Sequence, residues 1–226
     1  MITNAISTRF YRAKDIYQKE GFTILLKKIF TSLISFENSS FYIDEFLLQK
    51  RNEADFMPRI KNVTCRIIET TQQLDELLKD GLDLSLLDIA KARYRIEKGA
   101  IVTLLFVGRE LAWRGWVAMT EQAKNTFNPH PYKVDFLNYE VCGGDALTHI
   151  KYRRQGLNTH GDYRRNEFLT GKGIKKIWSI ALINNIASQG THDKLGEHRR
   201  YAKARYIRIF GLQFWKETSI KATDDD

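Results

Sequence analysis

The chain has 226 residues, with 36 Lys and Arg against 27 Asp and Glu for a net charge of +9, and 43% of its residues are hydrophobic. That apolar fraction fills a core and excludes a globally disordered chain, and three prolines with 14 glycines exclude a collagen-like or low-complexity one. Two cysteines, Cys65 and Cys142, are too few for a disulfide framework and point to a reducing, cytoplasmic compartment; no apolar run of about 18 residues reads as a membrane span, and no secretory signal is recognised at the N-terminus.

The charge is unevenly placed. Residues 1–36 carry net +4, residues 37–144 net −2, residues 145–217 net +9 and residues 218–226 net −2. A uniform nucleic-acid-binding coat is therefore not the natural reading of +9, and each basic segment needs its own explanation.

Residues 8–36 read as helix, with Phe22, Leu25, Leu26, Ile29, Phe30, Leu33 and Phe36 at helical spacing and Gly21 dividing the segment. Two readings stand for this basic amphipathic segment: contact with an anionic membrane surface, or packing on the domain or on a second subunit as a homodimer. Glu37-Asn38-Ser39-Ser40 is a polar break and the best domain boundary. Phe41–Leu48 and Val63–Glu69 read as strands, Thr71–Lys79 as a short helix, and Leu82–Glu97 as a second helix capped by Asp83 and ended by Gly99. Ile101–Val107 is almost entirely apolar and β-rich, which predicts a strand buried on both faces, with Leu111–Met119 as its hairpin partner. Residues 121–134 read as a loop. Phe136–Ile150 is extended, with Gly143-Gly144 marking a bulge or a close backbone approach. Leu157–Thr170 is a polar helix, Ile174–Leu182 a strand, Ile186–Leu195 a helix stopped by Gly196, and Arg200–Trp215 one alternating strand that closes the sheet. This mixed order predicts an α/β or α+β sheet covered by helices.

The stretch richest in chemistry is Tyr152-Arg153-Arg154-Gln155-Gly156-Leu157-Asn158. It leaves a strand and opens a helix. A glycine turn there exposes backbone N–H groups at a helix N-terminus, which suits a phosphate or diphosphate, and the two arginines add charge-assisted contacts. No P-loop, dinucleotide fingerprint or Gly-x-Ser-x-Gly occurs. The five histidines show no metal-ligand spacing with the cysteines, so no metal is expected.

Arg153-Arg154-Gln155-Gly156-Leu157-Asn158 resembles the pyrophosphate motif Gln/Arg-x-x-Gly-x-Gly/Ala of the GNAT superfamily of acetyl-CoA-dependent N-acetyltransferases, with Asn158 in place of the final small residue. Asn185-Ile186-Ala187-Ser188 followed by His192-Asp193-Lys194-Leu195-Gly196 resembles a second feature of the family, at the usual distance. The resemblance covers roughly residues 62–217. It implies a mixed, mostly antiparallel sheet with helices on both faces and a V-shaped splay between Glu140–Ile150 and Ile174–Leu182. It further implies that main-chain groups near Leu147, Thr148 and Ile150 hold the pantetheine of acetyl-CoA, that Arg153, Arg154, Gln155, Gly156, Leu157 and Asn158 hold the pyrophosphate, and that Asn185 and Ser188 contact the cofactor's amide region. His192 stands where family members often carry the tyrosine that protonates the leaving thiolate, and histidine suits that role near neutral pH. Glu140 is the leading general base, with His149 and Asp145 behind it.

The acceptor is not named by any residue. A basic helical N-terminus ahead of such a core resembles GNAT proteins associated with cell-surface polysaccharide assembly, which implies an amino sugar or nucleotide-linked amino sugar as acceptor. Tyr139, Glu140, Cys142 and the loop 121–134 would line its pocket. Cys142 is otherwise a small buried apolar residue in preference to an acyl-enzyme nucleophile. The expected layout is a helical appendage at 1–38, an acyltransferase domain at 39–217 and an acidic, disordered tail at 218–226, in a cytoplasmic protein that stands free or at the inner face of the membrane. Competing readings are a GNAT enzyme acting on a protein or small-molecule amine, and a non-enzymatic module binding nucleic acid or membrane through its basic segments; under the acetyltransferase reading no nucleic-acid partner is expected.

Overall fold

A computed structural model of the chain describes residues 21–24, 36–195, 198–209 and 212–220. The helix expected over 8–36 lies outside these residues, apart from Gly21–Ile24 and Phe36, and so does the tail from 221 onward. The chain falls into two compact units, one of residues 41–203 with 218–226 and the other of residues 1–40 with 204–217.

Eight strands form one sheet: β1 (Glu37–Leu47), β2 (Val63–Ile68), β3 (Ala100–Val107), β4 (Glu110–Ala118), β5 (Glu140–Thr148), β6 (Lys176–Leu182), β7 (His198–Ile209) and β8 (Leu212–Ser219). Their order is β2-β3-β4-β5-β6-β1-β7-β8. β2 through β5 pair antiparallel in sequence, β5 meets β6 in parallel, and β1 lies antiparallel on β6 from Phe41↔Leu182 to Leu47↔Lys176. The helices are α1 (Thr71–Lys79), α2 (Ile89–Glu97), α3 (Glu121–Lys124), α4 (Leu157–Gly171) and α5 (Ile186–Lys194).

Local chemistry explains most boundaries. Thr70 caps α1 by accepting from Gln73 N while Gln73 reaches back to the Thr70 N–H, a reciprocal capping box. α2 starts at Ile89 under an Asp88 cap, not at Leu82 under Asp83 as the periodicity suggests. The backbone of Asp83 is taken by the β3–β4 hairpin, with Asp83 N donating to Arg109 O (2.9 Å) and Leu111 N to Asp83 O (3.0 Å). Its carboxylate accepts from Ser85 N in an Asx turn, so residues 82–88 cannot also coil into the helix. The loop expected over 121–134 opens with the short helix α3, capped by Thr120. The polar break at 37–40 is already strand, and the single strand expected over 200–215 is two, β7 and β8, the latter running to Ser219.

The β4 residues Trp113 and Trp116 show how helices cover both faces, because side chains an odd number of positions apart on a strand point to opposite sides. Trp113 packs against α4, where a Cβ on Gly161 would stand 2.4 Å from the indole; only glycine lets the helix come so close. Trp116 points the other way and lies under the guanidinium of Arg95 from α2, 4.9 Å from the ring centre. In the smaller unit, Arg205 donates to Asn38 Oδ1 (3.1 Å) and Arg208 pairs with Glu37 (3.4 Å).

Candidate active site

The parallel pairing of β5 with β6 consists of Glu140↔Lys176, Val141↔Ile177 and Cys142↔Trp178. β5 then continues to Thr148 and β6 to Leu182 with no further pairing between them among the described residues. A wedge opens between neighbouring strands. Along it β5 bonds β4 on one edge, and the N–H and C=O groups of its other edge need a different partner. The opening coincides with a bulge: β5 spends three steps from Gly144 to Leu147 where β4 spends two from Trp116 to Arg114, and Asp145 takes the extra residue at φ 45°.

α4 starts at the mouth of this wedge. The turn before it holds Arg154 at φ 64° and Gly156 at φ 82°, and Arg59 N pins it by donating to Gln155 O at 2.9 Å. Gly156 offers no capping side chain, and His160 N makes the first helical bond back to Gly156 O. The N–H groups of Leu157, Asn158 and Thr159 therefore have no acceptor within the helix. Together with the helix dipole they leave a partly positive helix end, an arrangement whose chemistry suits an anion such as a diphosphate.

Two adjoining cavities fill the wedge. The outer one, about 930 Å³, is lined by Leu147, Thr148, Arg153, Arg154, Gly156 and Leu157 among others. The inner one, about 270 Å³, is lined by Gly143, Gly144, Asp145, Ser179, Ile180 and His192 among others. Ala146, Asn158, Asn185, Ser188 and Thr191 border both. Most residues expected to bind the cofactor thus stand around one continuous space. Gln155 contributes its carbonyl to the Arg59 contact and is not among the residues lining either cavity. Ile150 lies past the end of β5 in a 3₁₀ turn, 74% exposed, and likewise borders neither. Asn185 spends its side-chain oxygen capping α5, accepting from Ser188 N at 3.1 Å.

His192 is buried on α5 and borders the inner cavity. Its Nδ1 lies 2.8 Å from Asp44 Oδ2, and the other Asp44 oxygen accepts from Arg200 Nε at 3.3 Å. Asp44 sits on β1 with 0% exposure. A carboxylate only accepts hydrogen bonds, so the proton of neutral His192 resides on Nδ1 and Nε2 keeps its lone pair. Phe46 meets the imidazole edge-on, ring centres 4.9 Å apart, and holds its plane. Asp44 is absent from the expected site. Its signal was an acidic residue on the inward face of an apolar strand, in step with Phe46 two positions on.

Asn158, the departure from the family motif, bridges three elements. Its Oδ1 accepts from the buried Trp113 Nε1 at 2.7 Å and its Nδ2 donates to Thr191 Oγ1 at 2.9 Å. The side chain satisfies an indole that would otherwise be an orphaned donor, and it ties α4 to β4 and α5.

Glu140 is not brought to the cavities. Its carboxylate accepts from Trp178 Nε1 (2.7 Å) and Asp135 N (3.1 Å) and pairs with Lys176 (3.3 Å). Burial works to raise its pKa, but these bonds outweigh it and hold the carboxyl below its ordinary value, which is unsuited to a base. Cys142, expected against the acceptor, is fully buried with its thiol 3.0 Å from Tyr132 OH, and burial raises the thiol pKa to about 11. Tyr139 is 54% exposed at φ 61° beneath Lys175, away from both cavities. The loop 121–134 packs inward through Lys124, which donates to His130 O at 2.6 Å. His149 accepts from Lys151 N as the cap of its turn. Asp145 does border the inner cavity; burial raises its pKa, and bonds from Arg95 and Arg114 outweigh that and lower it.

Among the described residues no cluster of His, Cys, Asp and Glu is arranged to hold a metal ion, and no helix is long and apolar enough to cross a membrane. No protein-family model and no curated protein matches the chain. Solved structures do. The GCN5-related glucosamine N-acetyltransferase region of a fungal multi-domain GH3 β-N-acetylglucosaminidase aligns with a TM-score of 0.50 at 10% identity, over 87% of this chain and 23% of that one. A GNAT-family acetyltransferase from Colwellia psychrerythraea aligns at 0.49 and 12% identity, over 87% and 62%. A tandem GNAT protein from the clavulanic acid biosynthesis pathway aligns at 0.48 and 13% identity, over 80% and 54%. The chain spans less than two thirds of the length of each. The fold is that of the GNAT acetyltransferases: a mixed, mostly antiparallel sheet splayed between β5 and β6.

Proposed function

We propose that this protein is an acetyl-CoA-dependent N-acetyltransferase acting on a primary amine, in first place the amine of an amino sugar or nucleotide-linked amino sugar. The observation that carries the reading is the opening of β5 from β6 directly above an uncapped helix N-terminus. Acetyl-CoA fits these residues: the free edge of β5 at Leu147 and Thr148 is matched to the amides of pantetheine, and the first-turn N–H groups of α4 with Arg153 and Arg154 are matched to its diphosphate. When bound it supplies an acetyl thioester.

The chain's own contribution is placement and proton movement. Acceptor and thioester meet in the inner cavity, where Asp44 and Phe46 fix the His192 imidazole. His192 Nε2 takes the proton the amine loses as the C–N bond forms. The same nitrogen would return the proton to the sulfur that leaves as the C–S bond is exchanged for the C–N bond, which restores the resting tautomer. Arg200 balances the Asp44 charge, so the imidazolium forms beside a carboxylate already held in place. An amino-sugar acceptor is supported by the mixed polar lining of the inner cavity, where Ser179, Asn158 and Asn166 offer hydrogen-bonding groups.

Calorimetry with acetyl-CoA tests the donor, and thiol release on adding glucosamine or a nucleotide-linked amino sugar tests transfer. Micromolar binding followed by amine-dependent release is expected. No heat of binding at millimolar acetyl-CoA would remove the proposal.

A further inference from the structure

Beside the wedge lies a third cavity, about 330 Å³, between α2 and the bulge of β5. Asp88, Lys91, Arg95, Arg114, Trp116 and Asp145 border it. Asp145 also borders the inner cavity, so the two spaces meet at one residue. We infer that this cavity holds a negatively charged group of the acceptor, a phosphate or a carboxylate attached to the amine. The inference rests on the transferase reading for what the bound molecule does, but not for whether it binds.

Charge carries the argument. Arg95 NH1 lies 2.5 Å and Arg114 NH1 3.1 Å from the same oxygen of Asp145. The other bonds of Arg114 go to neutral carbonyls, Leu86 O at 3.0 Å and Asp145 O at 2.8 Å. Asp88 Oδ1 caps α2 by accepting from Lys91 N, and its carboxylate charge stands at the cavity as well. Two guanidinium groups, one of them on a residue only 3% exposed, thus share one carboxylate, and among the described residues no second carboxylate pairs with either. Three cations, Lys91, Arg95 and Arg114, thus border the cavity against two carboxylates, Asp88 and Asp145, and an anion entering from solvent balances the excess. Lys91, an exposed lysine with no ion pair among the described residues, borders the same cavity. Two residues of the lining also carry unpaired donors: Arg95 Nε and Trp116 Nε1 are buried without an acceptor among the described residues. The Arg95 guanidinium lies 4.9 Å from the Trp116 ring centre and 5.2 Å from that of Phe127, contacts that hold it in place at the cavity wall. A polycationic amine is disfavoured at such a site.

The test pairs a binding readout with a kinetic one. The Trp116 indole N–H resonance, assigned from Trp116→Phe, is followed in ¹⁵N spectra of the full chain during titration with glucosamine, glucosamine 6-phosphate and muramic acid. The phosphate-bearing or carboxylate-bearing amine should move the resonance, and the neutral-tailed amine should not; which of the two moves it names the anion. In acetyl transfer the anionic amine should have a kcat/KM about tenfold or more above glucosamine, as expected for one charge-assisted contact, and Lys91→Glu should collapse that ratio. Equal shifts with all three amines, or a preference unchanged in Lys91→Glu, overturns the inference. If the resonance moves selectively but no acetyl-CoA binds, the anion site stands and the transferase reading fails.

Discussion

Replacing Asp44 by Asn probes the proton path with almost no change in volume. Asp44 is fully buried between two partners of unlike character. Arg200 Nε can only donate, so it draws the amide oxygen of the new side chain to its own side, 3.3 Å away. The amide NH₂ then faces His192 Nδ1 at the position where Asp44 Oδ2 stood 2.8 Å away. Two donors cannot share that contact, so the His192 proton moves to Nε2, and the nitrogen proposed to take the amine's proton loses its lone pair. General acid–base catalysis contributes about 10²- to 10⁴-fold, so kcat should fall by about that factor, which at about 1.4 kcal/mol per decade is a barrier increase of about 3 to 6 kcal/mol. Nothing in the α4 turn changes, so KM for acetyl-CoA should stay within about threefold, well under the roughly 1.4 kcal/mol of a tenfold effect. Thiol-release kinetics give both constants, and ¹⁵N shifts of the His192 ring report the tautomer independently of rate. A folded Asp44→Asn protein with wild-type kcat, or one whose His192 still carries its proton on Nδ1, refutes the reasoning.

Gly156→Ala places a Cβ at φ 82°, 3.4 Å from Pro58 Cα; backbone strain of about 1–2 kcal/mol should shift the turn and weaken acetyl-CoA binding in calorimetry by about tenfold. Asn158→Ala orphans the Trp113 indole N–H and frees Thr191, and should cost about 1–3 kcal/mol in urea unfolding; unchanged stability would show that the bridge is idle. Glu140→Gln bears on acid stability. The folded Glu140 pKa is lowered, so the carboxylate stabilises the fold above its unfolded value near about 4.3 and loses that contribution as pH falls through the lower folded value. The gap in melting temperature between wild type and Glu140→Gln should therefore narrow from pH 7 towards pH 3, while kcat changes by less than about tenfold because the residue is outside the proton path.

The fold was legible wherever side-chain periodicity and capping agreed. The run Ala100–Val107 is buried at nearly every position, as an unbroken β-rich stretch requires, and α1 spans Thr71–Lys79 as its pattern suggests. Reading failed where a distant backbone claimed the segment. Leu84, Leu87, Ala90 and Tyr94 share a helical period, yet Asp83 is paired to the start of β4, a contact across 27 positions that no local pattern contains. β1 departs from the reading too: a polar tetrad looks like a linker, yet the strand runs through it from Glu37.

At the site the legible part is backbone chemistry. A glycine that must adopt positive φ at a strand-to-helix turn leaves a mark in sequence, because few residues substitute for it, and that mark located the 153–158 turn. Side-chain chemistry was harder because its meaning depends on partners far along the chain. Glu140 and Cys142 are plausible reactive groups as residue types, and what removes them is the company of Trp178, Lys176 and Tyr132. Asp44 takes its meaning at the candidate site from a contact with a histidine 148 positions away. Asn158 shows the same dependence in a residue that stands inside the motif itself. Against a family pattern it is a defect at the one place where a small residue eases the approach of a diphosphate. Against Trp113 it is the acceptor that a buried indole demands, so the larger side chain at the cavity wall is the consequence of a tryptophan chosen for the core.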